Sequence, residues 1–493
     1  MTESLDGGAV TYRSNRHFDI LNENIVFPWQ AANTTTGHRD IFETRRTSYG
    51  QGLVLLNNTS HDEAGYSDPW EAFIRYSVGS TMDGAPMIMY GQEIGTAASL
   101  SFDKYEENFG KSIPHFKAWN SMQPQWTSWS ANTFGVKNLI PAYAGAGKAR
   151  EFSPALRSSS RWFLNPNGST TADPNIFAVA KYEQANASPA TQDVVFGFVN
   201  LDRTTARQNT FAIPSGLGTL LGIKSGRNYN VRNIAAYLGP NNEYADRRDK
   251  FLWGNNGSSG ATILSGGIYV SLPAVPSTDS AWGSAPFEAQ YLKLYDVTPP
   301  PALTGAPTTS TSIIANGTTT LSWNAVNDPE GLTPTYRVTA SNGSNVETTS
   351  TSVSFQGLPP GTYTFTVTAL NPNDPSKTSA TSSPSPSVRS LSSTGDDDGD
   401  GQTNADELIA GTDPLNPSSR FQINTILATP TGTTLTWTAV PGRTYTVEAR
   451  EDLSPSGAWV PIGTVNNANG LAIGSYIDSA ISLSRRFYRL VVQ

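Results

Sequence analysis

The chain has 493 residues, a formal charge of −8, 15% charged residues and no cysteine. That length leaves room for three or more domains, the acidic balance offers none of the basic patches that nucleic-acid binding requires, and the lack of thiols excludes disulfides and thiolate metal sites. No run approaches the roughly 20 apolar residues of a membrane span, while the low charge with abundant Ser, Thr, Asn and Gly is a composition common in secreted polysaccharide-acting proteins.

From the N-terminus, Thr2-Glu3-Ser4 reads as a strand end carrying a carboxylate. Residues 53–63, LVLLNNTSHDE, run four apolar residues into a polar cluster, which is how a buried strand delivers polar side chains at its C-terminal end. The spacing of Trp70, Phe73, Ile74 and Val78 predicts a helix over 69–81, and Gly84-Ala85-Pro86 then leads into the apolar run 87–90, a further strand. Strand, helix and strand in succession predict parallel βα units, and a barrel of such units brings its strand ends to one face. Glycoside cleavage uses that arrangement: one carboxyl protonates the leaving oxygen, and nearby negative charge stabilises an oxocarbenium-like transition state.

These segments, in this order, resemble the α-amylase family, glycoside hydrolase family 13. Thr2-Glu3-Ser4 is similar to the family's fifth-strand motif, Asn58-Thr59-Ser60-His61-Asp62 to its seventh-strand motif, and Gly84-Ala85-Pro86 through Gly91-Gln92-Glu93 to its eighth-strand segment. The resemblance implies Glu3 as general acid/base, Asp62 as stabiliser of the transition state and His61 as a sugar ligand, in a retaining hydrolysis or transglycosylation of α-glucans such as starch or glycogen. The family's fourth-strand motif, with its Arg and nucleophilic Asp, has no counterpart before Glu3, and a whole barrel takes about 250 residues. The expectation is therefore the C-terminal half of a (β/α)8 barrel over residues 1–185, lacking its nucleophile and inactive by itself. Trp29 and Tyr66 are candidate sugar-stacking rings, whereas Trp70 falls on the apolar stripe of its helix. The expected partner is an α-glucan polysaccharide or oligosaccharide, and the expected location is extracellular, periplasmic or at the cell surface. The other reading is a non-catalytic carbohydrate-binding or adhesion protein built on a degenerate half-barrel.

From Asp193 onward the pattern turns to strands: VVFGFVN at 194–200, GIYVSL at 267–272 and YLKLY at 291–295. The family resemblance implies the same, an all-β C-terminal domain over 186–297. Pro299-Pro300-Pro301 marks a stiff linker. Over 298–391, LSWNAV, YRVTA and YTFTVTAL alternate between turn-rich stretches and resemble a fibronectin type III sandwich, with Trp323 as core aromatic and Tyr363 in a later strand. LTWTAV at 435–440 and YTVEAR at 445–450 repeat the theme, which predicts a related C-terminal sandwich over 421–493 with Trp437 in its core.

Between the sandwiches, over 392–420, lies DDDGDGQTNADE. Counted from Asp396, it places side-chain oxygens at Asp396, Asp398, Asp400 and Asn404, the backbone carbonyl of Gln402 at the seventh position, Gly401 where a sharp turn is needed, and Glu407 at the twelfth as a bidentate ligand. That is the spacing of an EF-hand calcium loop, and with the following ELIAGTDPLNPSS it resembles the thrombospondin type 3-like or dockerin-like repeats that join modules in extracellular bacterial proteins. The expected cofactor is a structural calcium ion. The predicted architecture is multidomain: the C-terminal half of a (β/α)8 barrel, then all-β sandwich domains joined by a calcium-binding linker.

Overall fold

The computed structural model describes residues 2–4, 20–23, 26–45, 53–57, 69–88, 139–236, 250–274, 289–315, 317–454, 457–480 and 485–492. The protein is multidomain and mostly β-sandwich, and its contacts divide it into two compact units. The first holds Met1–Pro299 with the short stretches Asp328–Leu332 and Asn373–Lys377; the second holds the remainder.

In the first unit, β1 (Thr2–Ser4), β2 (Ile20–Glu23), β3 (Leu53–Asn57) and β4 (Ala85–Met87) pair in parallel and in chain order. The helix Pro69–Ser80 connects β3 to β4 and buries Trp70, Phe73, Ile74 and Val78, so its apolar spacing was a sound guide. Half of a closed barrel is not evident among the described residues. The four strands are three to five residues long, and the helices Pro69–Ser80 and Leu139–Phe152 share a single core with an antiparallel sheet. Arg150, on the second of these helices, ties the two together. Its guanidinium donates to the carbonyls of Ser80, Met82 and Gly84 at 3.0, 2.7 and 2.9 Å, satisfying the last carbonyl of the first helix and two in the turn that follows it.

The antiparallel sheet is built from β5 (Arg161–Phe163), β6 (Ile176–Tyr182), β7 (Val194–Asn200), β9 (Asn228–Asn233), β10 (Ser258–Ser259) and β12 (Ala289–Asp296), in the order β10-β9-β12-β7-β6-β5. A ribbon of β8 (Arg207–Phe211) and β11 (Ile268–Leu272) accompanies it. The domain boundary expected at 185/186 falls inside this sheet, because β6 pairs with β7 from Ile176↔Asn200 to Tyr182↔Val194. The reason lies in the burial. Successive strand side chains face opposite sides, and here both sides are covered: Phe177, Val179, Val195, Val199 and Tyr291 join the helices, while Ile176, Ala178, Phe196, Phe198 and Leu292 face a second core with Phe211, Tyr229 and Ile268. A strand buried on both faces reads as an unbroken apolar run, which in IFAVAKY gives no mark of where a β domain begins.

In the second unit, nine short strands between Thr308 and Ser390 form three three-stranded sheets around Trp323, Tyr336, Val338, Phe355, Phe365, Val367 and Val388. The Tyr363 hydroxyl donates to the Pro359 carbonyl at 2.9 Å, closing a corner four residues back as the tyrosine corner of such sandwiches does. Along the strand Phe365–Leu370 runs a ladder of serines. The N–H groups of Ala369, Val367 and Phe365 donate to the hydroxyls of Ser379, Ser382 and Ser385 at 3.0, 2.9 and 3.0 Å. The N–H groups of those serines donate back to the same three carbonyls at 2.8–2.9 Å. A three-residue step thus pairs with every second strand residue and satisfies an edge without forming a strand of its own.

The C-terminal module has two three-stranded sheets, Ile423–Thr429, Gly432–Thr438 and Ile473–Asp478 in one, and Val460–Asn466, Thr444–Arg450 and Phe487–Val492 in the other. Leu435, Trp437, Ala439, Tyr445 and Val447 are buried between them. Trp323 and Trp437 are both core residues, as their alternation predicts.

Candidate metal centre

The acidic loop starts where the strand Val388–Ser390 ends and runs into the helix Asn404–Ala410. Thr403 caps that helix, its hydroxyl accepting from the Asp406 N–H at 3.2 Å. Gly411 closes it with φ +81°, a left-handed turn in which its N–H donates to the Glu407 carbonyl at 2.7 Å. The helix end thereby fixes Glu407 against the loop.

Within the loop, backbone N–H groups bind carboxylates. Asp396 accepts from Gly399 and Gly401, both at 2.8 Å, and from Asp400 at 3.1 Å. Asp398 Oδ1 accepts from Asp400 at 3.1 Å, and Asp400 Oδ1 accepts from Gln402 at 2.8 Å. Gly401 has φ +94°, a conformation that disfavours any side chain, at the position where the calcium-loop spacing demands a sharp turn. The bond from Gly401, ahead of the others, holds the Asp396 carboxyl below its usual range. Glu407 is pushed the other way, up to about 7, first by burial and then by the neighbouring Asp398 and Asp400 carboxylates.

One ligating oxygen from each of Asp396, Asp398 and Asp400 lies within 4.8 Å of the others. Asp398 Oδ2, Asp400 Oδ2 and Glu407 Oε2 are buried and make no hydrogen bond. Buried carboxylate oxygens without a hydrogen bond are costly, and an all-oxygen set of this kind fits a hard divalent cation such as calcium. Arg420 brings a partial counter-charge, with Nε 3.4 Å from Asp400 Oδ2.

At one predicted ligand position, Asn404, the side chain carries another duty, and at Gln402, where the prediction concerns the backbone carbonyl, the side chain is engaged elsewhere. Asn404 is fully buried, but its carboxamide is turned to the start of the loop: Oδ1 accepts from the Asp397 N–H at 3.1 Å, and Nδ2 donates to the Ser392 carbonyl at 2.9 Å and to Asp397 Oδ1 at 3.0 Å. Its side chain fastens the start of the loop. The Gln402 side chain reaches Phe421, donating from Nε2 to the carbonyl at 2.8 Å and accepting at Oε1 from the N–H at 3.1 Å. Neither this clip nor Arg420 has a signal in the ligand spacing, because both partners come back to the loop through the turn after the helix.

Of the residues singled out for sugar chemistry, Glu3 lies in β1, paired in register with Asn22. His61, Asp62 and Tyr66 lie outside the described residues. Trp29 corrects an expectation. It is 0% exposed, edge-on to His38 at 5.2 Å and to Phe42 at 5.5 Å, so its ring is spent in the core and offers no face to a sugar. His38 beside it is buried, with Nδ1 2.8 Å from the Thr34 carbonyl, and burial lowers its pKa to about 4.

Residues 305–382 match the model of the fibronectin type III domain, so the class is a multidomain chain of β-sandwiches with a fibronectin type III region. Residues 396–417 match the model of the bacterial TSP3 repeat, which covers the acidic loop and the helix after it. No curated protein matches the sequence. Among solved structures, a noncanonic maltogenic α-amylase, AmyB, from Thermotoga neapolitana is similar at 11% identity and a TM-score of 0.34, over 59% of this chain and 54% of that one. The γ-CGTase of the alkalophilic Bacillus clarkii is similar at 10% identity and a TM-score of 0.30, over 99% of this chain and 59% of that one. The chain thus spans little more than half the length of either enzyme. The FN1–FN3 domains of chicken CNTN1 give 12% identity and a TM-score of 0.21, over 59% of this chain and 96% of that one. Among the described residues no helix is long and apolar enough to cross a membrane.

Proposed function

We propose that the chain is part of an extracellular, α-amylase-type protein that cleaves α-glucans with retention, and that its acidic loop holds a structural calcium ion. The observation that carries the enzymatic reading is the pairing of β1 to β4 in parallel and in chain order. Parallel strands present their C-terminal ends along one edge; Glu3 sits in β1, and His61-Asp62 follow the end of β3 in the sequence. In this reading the parallel sheet belongs to a (β/α)8 barrel. Glu3 protonates the leaving oxygen and then deprotonates the attacking water, Asp62 stabilises positive charge at the anomeric carbon, and His61 binds the sugar, in a protein that also carries the nucleophile. The test is starch hydrolysis by a form bearing the family's fourth-strand Arg and Asp. Glu3→Gln is expected to abolish turnover while the far-UV circular dichroism stays unchanged, and an unaltered rate refutes the assignment.

The calcium reading rests on three buried oxygens, of Asp398, Asp400 and Glu407, that accept no hydrogen bond. A bound calcium ion would neutralise this cluster and supply no chemistry to the cleavage. Asp396, Asp398, Asp400, Glu407 and the Gln402 carbonyl would hold it. Titration calorimetry with calcium is expected to give one site per chain that Asp398→Ala removes, and the same heat from that variant would sink the reading.

A further inference from the structure

We propose that Gln402 is a positioning residue that transmits the state of the acidic loop to the C-terminal sandwich, so that a divalent cation in the loop stabilises strands well beyond it. This rests on the calcium reading. Both amide atoms of the Gln402 side chain are committed to one residue, Nε2 donating to the Phe421 carbonyl at 2.8 Å and Oε1 accepting from the Phe421 N–H at 3.1 Å. Its own N–H donates to Asp400 Oδ1 at 2.8 Å. One residue therefore joins a carboxylate of the cluster to residue 421, and two parallel bonds fix the direction of the chain there as well as its position.

Residue 421 is where the sandwich begins. The Phe421 ring lies 5.9 Å from that of Tyr445 with 30° between their planes, and Tyr445, fully buried, packs on Trp437 at 5.6 Å. A second tie runs alongside: Arg443 Nη2 donates to the Leu408 carbonyl at 3.3 Å. The C-terminal core gains from such support because few of its side chains are fully buried, and a small core supplies little stability of its own. A ligand that binds the folded loop stabilises whatever unfolds together with it, by an amount set by the coupling between the two. The Gln402 clip is that coupling, whereas Asn404 anchors the loop at its other end, to Ser392.

Hydrogen exchange on the full chain, with calcium at about millimolar and with chelator, separates the possibilities. In the natural sequence calcium is expected to slow exchange in 396–410 and also in the strands Ile423–Thr429 and Thr444–Arg450. In Gln402→Ala the protection of 396–410 stays, while that of the two strands falls about ten-fold, the scale of losing two ordinary hydrogen bonds. Protection confined to 396–410 in the natural sequence, or undiminished in the strands of Gln402→Ala, overturns the proposal and leaves the calcium reading standing. A variant that no longer binds calcium by calorimetry also overturns it, since the side chain would then serve the loop alone. No protection by calcium anywhere overturns both.

Discussion

In the fibronectin type III domain the Val326 N–H donates to the Tyr336 hydroxyl at 2.9 Å, and that ring lies 5.5 Å from Trp323. In the C-terminal sandwich the Val440 N–H donates to the Tyr445 hydroxyl at 2.7 Å, and that ring lies 5.6 Å from Trp437. The same corner thus follows from W-x-A-V in both, although ten residues separate donor and acceptor in the first and five in the second. What differs is the surroundings. Among the described residues the first core holds fourteen buried side chains, whereas the second holds five, with eight more only partly buried against it. The corner specifies how the strands meet; the amount of surface removed from water decides whether a module stands alone.

The strongest way to break this comparison is to empty each core. Trp323→Ala and Trp437→Ala should each cost about 3–5 kcal/mol. The first should lower the midpoint of a urea melt of its domain, and the second should leave the C-terminal sandwich unfolded at room temperature, as read by hydrogen exchange in 423–492. Equal tolerance would show that core size is not the difference. Next in size, Tyr336→Phe and Tyr445→Phe should cost about 1–3 kcal/mol, and by similar amounts, because each strands a valine N–H that the hydroxyl had satisfied. Unequal losses would mean that the two corners are alike in geometry alone.

A smaller effect separates the modules by pH. Glu407 is held up at about 7 by burial and its acidic neighbours, above its ordinary 4.5. With the folded pKa raised, the protonated form supports the fold. In chelator this contribution is full below about pH 4.5 and is lost as pH rises through 7. Melting of the C-terminal sandwich in chelator should fall over that window in the natural sequence and stay level in Glu407→Gln, and parallel curves would refute it. Smallest of all are the cross-strand pairs at the surface, Arg337 with Glu347 at 2.7 Å in one module and Arg489 with the partly buried Glu448 at 2.5 Å in the other. Removing either arginine should change stability by at most about 1 kcal/mol, and a larger change would point to lost packing of the stem.

Legibility followed the range of the interactions. LSWNAV and LTWTAV were readable because alternation along a strand reports directly on which face is buried. The spacing Asp396, Asp398, Asp400, Glu407 was readable because the loop's ligands lie within twelve residues. The spacing places the Asn404 side chain and the Gln402 carbonyl at the ion, but it says nothing of the side-chain partners Ser392 and Phe421, which are chosen by the path of the chain on either side of the loop. Trp29 failed for a related reason: a lone aromatic near a sugar motif gives no hint that His38 and Phe42 enclose it. The strand Ile176–Tyr182 is hidden because its partner Val194–Asn200 lies beyond the expected boundary and both its faces are covered.

The run from Ser379 to Ser385 has the composition of a spacer, and spacers elsewhere tolerate changes of length. This one keeps a count. Its three hydroxyls meet Ala369, Val367 and Phe365 only because three residues of one segment span two of the other. Deleting a single residue between Ser379 and Ser385 would put the remaining serines out of step and reopen the strand to pairing with a neighbouring chain. In this stretch the number of residues, more than their identity, is under constraint, and a one-residue deletion should prove more harmful than replacing its single proline, Pro384.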